Sequence, residues 1–106
     1  MFITKAYLNE LLSEPVKVSN WFKYGVIPKM KGFDIRQKSN KNKSHVAFRS
    51  EELSGHIDFW DDGAVEVYVM DYDSGDELID VLLDADEEKK QKSAFRKLLK
   101  LLLVVK

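Results

Sequence analysis

Hydrophobic positions change period along this chain, from helical spacing near the start to strict alternation in the middle and back again at the end. Two N-terminal segments read as helices: Ile3 to Leu12, and a second entered at Ser13-Glu14-Pro15, with Val18, Trp21, Phe22 and Gly25 at helical spacing. Proline suits a first helical turn, where its missing N–H has no intrahelical partner in any case. Pro28 and Gly32 end the helix. From Gly32 the period is two. The stretch Gly32 to Gln37 and the stretch His45 to Arg49 read as strands, joined by the apolar-free loop Lys38 to Ser44.

Register decides what the next strands bury. In "GHIDFW" and "AVEVYVMDY", alternation groups Ile57 with Phe59 and Val65 with Val67 and Val69. A two-residue loop would pair Phe59 with Glu66 and put the valines on the wrong side of the sheet. A loop of Asp61-Asp62-Gly63 pairs Phe59 with Val65 and Ile57 with Val67, with Gly63 supplying the positive φ such loops use. The same test on the hairpin through "DSGDE" aligns Val69 with Val81 and Val67 with Leu83. Odd-numbered residues then face inward on all three strands.

The even-numbered face follows by exclusion. It carries His56, Asp58, Trp60, Glu66, Tyr68, Met70, Tyr72, Asp80 and Asp84, joined by Ala47 and Arg49 if the preceding strand is in phase. Asp58 lies opposite Glu66, a like-charge pair that opposes folding. Near the C-terminus, Phe95, Leu98, Leu99 and Leu102 form one apolar helical stripe. Asp86, Glu87 and Glu88 sit at that helix's positive end, and Lys97 and Lys100 nearer its negative end. The pattern therefore predicts an α+β fold in one domain, residues 1–106. Its antiparallel four- to five-stranded meander sheet has N-terminal and C-terminal helices packed on one face and the other face open.

Charge sharpens this picture. The net charge is −1, yet Glu51 to Glu88 holds fifteen Asp/Glu and no Lys or Arg. Ten basic residues precede that stretch against three acidic ones, and all seven charges after it are basic. Such asymmetry suits a basic partner more than it suits any particular fold. No run reaches the roughly 18 apolar residues needed to span a bilayer. The opening "MFITKAYLNELL" interrupts its apolar run with Asn9 and Glu10, unlike a secretory signal. With no cysteine in the chain, the expectation is a cytoplasmic protein without disulfides or thiolate chemistry.

Candidate chemistry is sparse. An EF-hand loop starting at Asp71 would place Gly75 at position five, Asp76 at six and Leu82 at twelve, where ligand, glycine and glutamate are needed. "DYDSGDE" therefore reads as a turn, and no structural cation is expected. His45 and His56 lie on strands near Asp58, but no serine, threonine or lysine is placed as a nucleophile for them to activate. No catalytic, cofactor-binding or metal-ligating residues are predicted, and the chain is expected not to be an enzyme. The basic loop lacks interleaved aromatics, which argues against nucleic acid. What remains is a protein interface, with Trp60, Tyr68, Tyr72 and Met70 as anchors and Asp58, Glu66, Asp80 and His56 around them.

The order of these features resembles the TriTu family of small bacterial immunity proteins. The likeness rests on the Trp21-Phe22 pair and the Gly55-x-Ile57-x-x-Trp60-x-x-Gly63 spacing, then Val67-x-Val69-x-Asp71 and the Ser74-Gly75-Asp76-Glu77 turn. It covers about Val18 to Leu103, with Met1 to Lys17 as an extension, and departs after Glu77, where the family's aromatic-rich strand is missing. The resemblance implies a protein that binds and neutralises a cognate toxin, in that family an ADP-ribosyltransferase acting on elongation factor Tu. The implied partner is a toxin with a basic surface or an NAD-binding cleft. The alternative is an intracellular adaptor or regulatory module using the same face.

Overall fold

The structure is a computed structural model that describes residues 19–103. The helix expected over Ile3 to Leu12, and Pro15 and Val18 of the next one, lie outside the described residues. Where the description begins, the chain is helical, but past Trp21 it widens into a π-helical turn, Phe22–Val26, and then tightens into a 3-10 turn, Ile27–Lys29. The wider turn carries i→i+5 hydrogen bonding, seen in the Ile27 N–H to Phe22 carbonyl bond. Trp21, Phe22 and Val26 are all buried, while Gly25, expected on the same stripe, is half-buried. Pro28 sits inside the 3-10 turn, and Gly32, at φ 82°, redirects the chain into the sheet.

Five strands follow: β1 Asp34–Ser39, β2 Lys43–Arg49, β3 Leu53–Trp60, β4 Val65–Asp71 and β5 Glu77–Leu83. They pair in sequence order, each antiparallel to the next, so the sheet is a meander as expected. The first loop is shorter than "KSNKNKS". Lys38 and Ser39 extend β1, Lys43 and Ser44 begin β2, and the Asn40 side chain closes the turn by accepting from the Asn42 and Lys43 N–H groups. Local capping by Asn thus lets lysines enter strands that composition alone would leave as loop.

The β3–β4 hairpin has the expected register, Phe59 opposite Val65 and Ile57 opposite Val67. Gly63 adopts φ 95°, and Trp60 N–H bonds the Ala64 carbonyl across the loop. The β4–β5 hairpin differs by two residues: Val69 faces Ile79 and Val67 faces Val81. The turn is tighter than alternation suggested, closed by Asp71 N–H on the Asp76 carbonyl and Gly75 N–H on the Asp71 carbonyl. A bulge next to it steps from Val69–Ile79 to Met70–Glu77 and leaves Leu78 over. An error of two preserves side-chain parity, so the odd residues still face inward. Val65, Val67, Val69, Ile79 and Leu83 are buried, and Val81 is half-buried.

Helix α1, Glu88–Leu102, lies against that inner face. Phe95 stacks parallel to Phe59 with ring centroids 6.1 Å apart and meets Trp21 edge-on at 5.9 Å, so sheet, N-terminal turn and helix share one aromatic core. Leu98, Leu99 and Leu102 complete the buried stripe. Gln91 is buried too, donating to the Gly63 and Asp84 carbonyls and tying the helix to two strand ends. Gly55 has a steric reason: a Cβ there would sit 2.1 Å from the Tyr68 carbonyl oxygen and 2.8 Å from the Phe48 ring. Phe48, its partner across β2, fills that space instead.

Candidate functional site: the outer face of the sheet

β2 is in phase with β3, so the even-numbered face extends further than β3–β5. Three ladders cross the whole sheet. One runs Lys38, His45, Asp58, Glu66, Leu82; the next runs Arg36, Ala47, His56, Tyr68, Asp80; the third runs Asp34, Arg49, Ser54, Met70, Glu77. Lys43 stands opposite Trp60 at one end. The face is therefore bipolar. Basic residues (Arg36, Lys38, Lys43, Arg49) outnumber the acid Asp34 on β1 and β2, acidic ones (Glu66, Glu77, Asp80) occupy β4 and β5, and imidazoles lie between. Among the described residues no element covers this face, because α1 and the N-terminal turns both pack on the other one.

The predicted site residues fall into distinct settings. Tyr68 stacks on the His56 ring at 5.6 Å and 22°, placing these two at the centre of the face. Asp80 is exposed beside Tyr68, while Glu66 and Met70 are half-buried. Trp60 is at one end, with the Lys43 ammonium 5.3 Å from its ring centroid, a cation–π contact. Tyr72 stands past the end of β4, with its N–H on the Glu52 carbonyl, and is 41% exposed. It aligns near the start of β3, so about eight residues of strand, on the order of 26 Å, separate it from Trp60. The two aromatics grouped as one anchor thus stand at opposite ends. Leu82, 62% exposed opposite Glu66, was not predicted as part of the face. Its even position puts it on this face under either register, and the two-residue shift sets it, rather than Asp84, opposite Glu66.

Asp58 is the exception among the carboxylates. It is only 4% exposed, and its Oδ1 accepts from His45 Nδ1 at 2.5 Å with Lys43 Nζ at 3.7 Å. It is an internal partner rather than an outward steering charge. His56 Nε2 meets Glu66 Oε1 at 3.1 Å. His45–Asp58 and His56–Glu66 are thus two hydrogen-bonded pairs set side by side over three strands, with His56 Nε2 4.0 Å from Asp58 Oδ2 and the two imidazole rings 5.6 Å apart. The charge is less balanced at the sheet's last edge. Asp80, hydrogen-bonded to Glu77 and of the same charge, holds the Glu77 carboxyl above the usual carboxylate range. Both groups lie in the half of the face that holds no basic residue.

No family model, no curated protein and no solved structure matches this chain. Among the described residues no helix is long and apolar enough to cross a membrane.

Proposed function

We propose that this chain is a non-catalytic binding protein that docks a basic protein surface against the β4–β5 half of its open sheet face. The observation that carries this reading is exposed Leu82 on the sheet face, diagonal to Tyr68 and bordered by the acidic side chains of Glu77 and Asp80. An apolar centre with a one-signed rim is the usual anatomy of a protein interface. Basic β1–β2 would repel the wrong half of the same partner, so the bipolar face supplies orientation as well as attraction. Within this class, the resemblance to TriTu immunity proteins favours an inhibitor that occludes a toxin, with the ADP-ribosyltransferase and its NAD cleft as the specific candidate. An adaptor using this face is the second reading, favoured by the His45–Asp58 and His56–Glu66 hydrogen bonds that tie the face together without any partner.

The test is co-expression with a toxin encoded beside this gene, read as protection of growth and as recovery of a one-to-one complex. Tyr68→Ala removes a central aromatic, a change that typically costs about 2 kcal/mol or more, or roughly 30-fold in affinity. Trp60→Ala, at the end of the face, should have a smaller effect. Glu66→Lys should slow association most at low salt. Full protection by all three variants would remove this face from the interface.

A further inference from the structure

The centre of the face also brings together one imidazole and two carboxylates at metal-ligand spacing. Asp58 and Glu66 stand directly opposite each other, and the Lys43 ammonium is the only formal cation among the described residues within 4.0 Å of either carboxylate. His56 Nε2 lies between them, 3.1 Å from Glu66 Oε1 and 4.0 Å from Asp58 Oδ2. The three donor atoms all fall within 4.8 Å of one another. For a tetrahedral zinc ion at about 2.0–2.1 Å from each ligand, donors stand about 3.3 Å apart. The His56–Glu66 separation is already near that figure, and the wider ones must close by an ångström or so, on half-exposed His56 and Glu66.

A second observation concerns Asp58 itself. Its side chain is 6% exposed, and its two oxygens are treated differently: Oδ1 is held by His45, whereas Oδ2 makes no hydrogen bond among the described residues and points at His56. Oδ2 is not a buried, unsatisfied atom, so its lone pairs stay open to solvent beside His56. His45 therefore acts as the positioning group that fixes the carboxylate with its free oxygen turned inward, as outer-shell partners of metal ligands do.

We propose that His56 Nε2, Asp58 Oδ2 and Glu66 Oε1 bind one divalent transition-metal ion of the zinc or cobalt type, with His45 positioning Asp58 and solvent completing the shell. One imidazole with two carboxylates suits such an ion better than calcium or magnesium, which take oxygen ligands only. Among the described residues, the Lys43 ammonium opposes the ion, and its half-exposed chain also reaches the Trp60 ring.

The experiment uses the full chain stripped of metal with a chelator and titrated with cobalt(II), followed by visible absorption, and with zinc, followed by calorimetry. One ion per chain is expected. Glu66→Gln, which keeps the side chain's size, and His56→Ala should each weaken binding at least about tenfold, and His45→Ala by about 10- to 100-fold through lost orientation. Lys43→Met should tighten it. Circular dichroism melts of each metal-free variant separate loss of the site from loss of the fold. Equal affinity in the parent, Glu66→Gln and His56→Ala, several weak ions per chain, or no binding would each overturn the proposal. None of these outcomes depends on the protein-interface reading, which is tested without metal.

Discussion

The two faces of one sheet obey different rules. On the inner face every strand contributes apolar side chains that pack against α1 and the N-terminal turns, and Val46, Ile57, Val67 and Val69 are completely shielded. On the outer face burial is achieved by polar groups: Asp58 is nearly as inaccessible as those valines, yet it lies under Lys43, His45 and His56 rather than under a helix. The inner face needs only volume and apolarity. The outer face needs particular donors opposite particular acceptors, and a sheet has no folding reason to place Asp58 across from Glu66. Such a requirement beyond folding is what a binding surface leaves behind.

This contrast can be broken by substitution. The largest effect belongs to the inner face: Phe95→Ala removes a fully buried ring touching both Phe59 and Trp21 and should destabilise by about 3–5 kcal/mol, measured by urea unfolding. A loss under about 1 kcal/mol would mean that α1 is not part of the core.

A middle effect is expected outside. Asp58→Ala abolishes the charge-assisted bond to His45 but relieves the repulsion with Glu66, so the net loss should be about 1–2 kcal/mol. If this variant is more stable than the parent, the outer pairs are maintained against stability, which sharpens the case for function.

The smallest effect marks the border between faces, where α1 begins. Glu87 accepts from the Asp84 N–H and pairs with Lys90, and these bonds hold its carboxyl below the usual carboxylate range. A lowered native pKa gives stability that is fully present above the ordinary glutamate value and fades as pH falls through the lowered one. Thermal melts of the parent and Glu87→Gln should therefore differ near neutral pH and converge in acid. Because the carboxyl is open to solvent, which screens these contacts, the difference should be small. A gap that widens in acid would reverse the assignment.

Much of the inner architecture was legible in the linear chain because it depends only on parity and period. Alternation in β3 and β4 identified Ile57, Phe59, Val65 and Val67, and Gly63 with its two aspartates identified a loop length that only one register satisfies. Helical spacing identified Phe95, Leu98 and Leu102. Parity also protected the reading from error: the β4–β5 register was off by two, and the buried set barely changed.

The outer face had no such protection. Which residues lie side by side there depends on absolute register, which turn hydrogen bonds and one bulge decide. Leu82 replaced Asp84 opposite the start of β4, Trp60 and Tyr72 separated to opposite ends, and Lys43 moved from a loop into contact with Asp58. The bipolar charge, in turn, needed the phase of β1 and β2, which the Ser50 side chain helps to set by accepting from the Glu52 and Leu53 N–H groups. Hydrophobic burial is a one-body preference, readable position by position along a chain. The side-by-side setting of His45–Asp58 and His56–Glu66 is a many-body arrangement over three strands, and it exists only once the turns have closed.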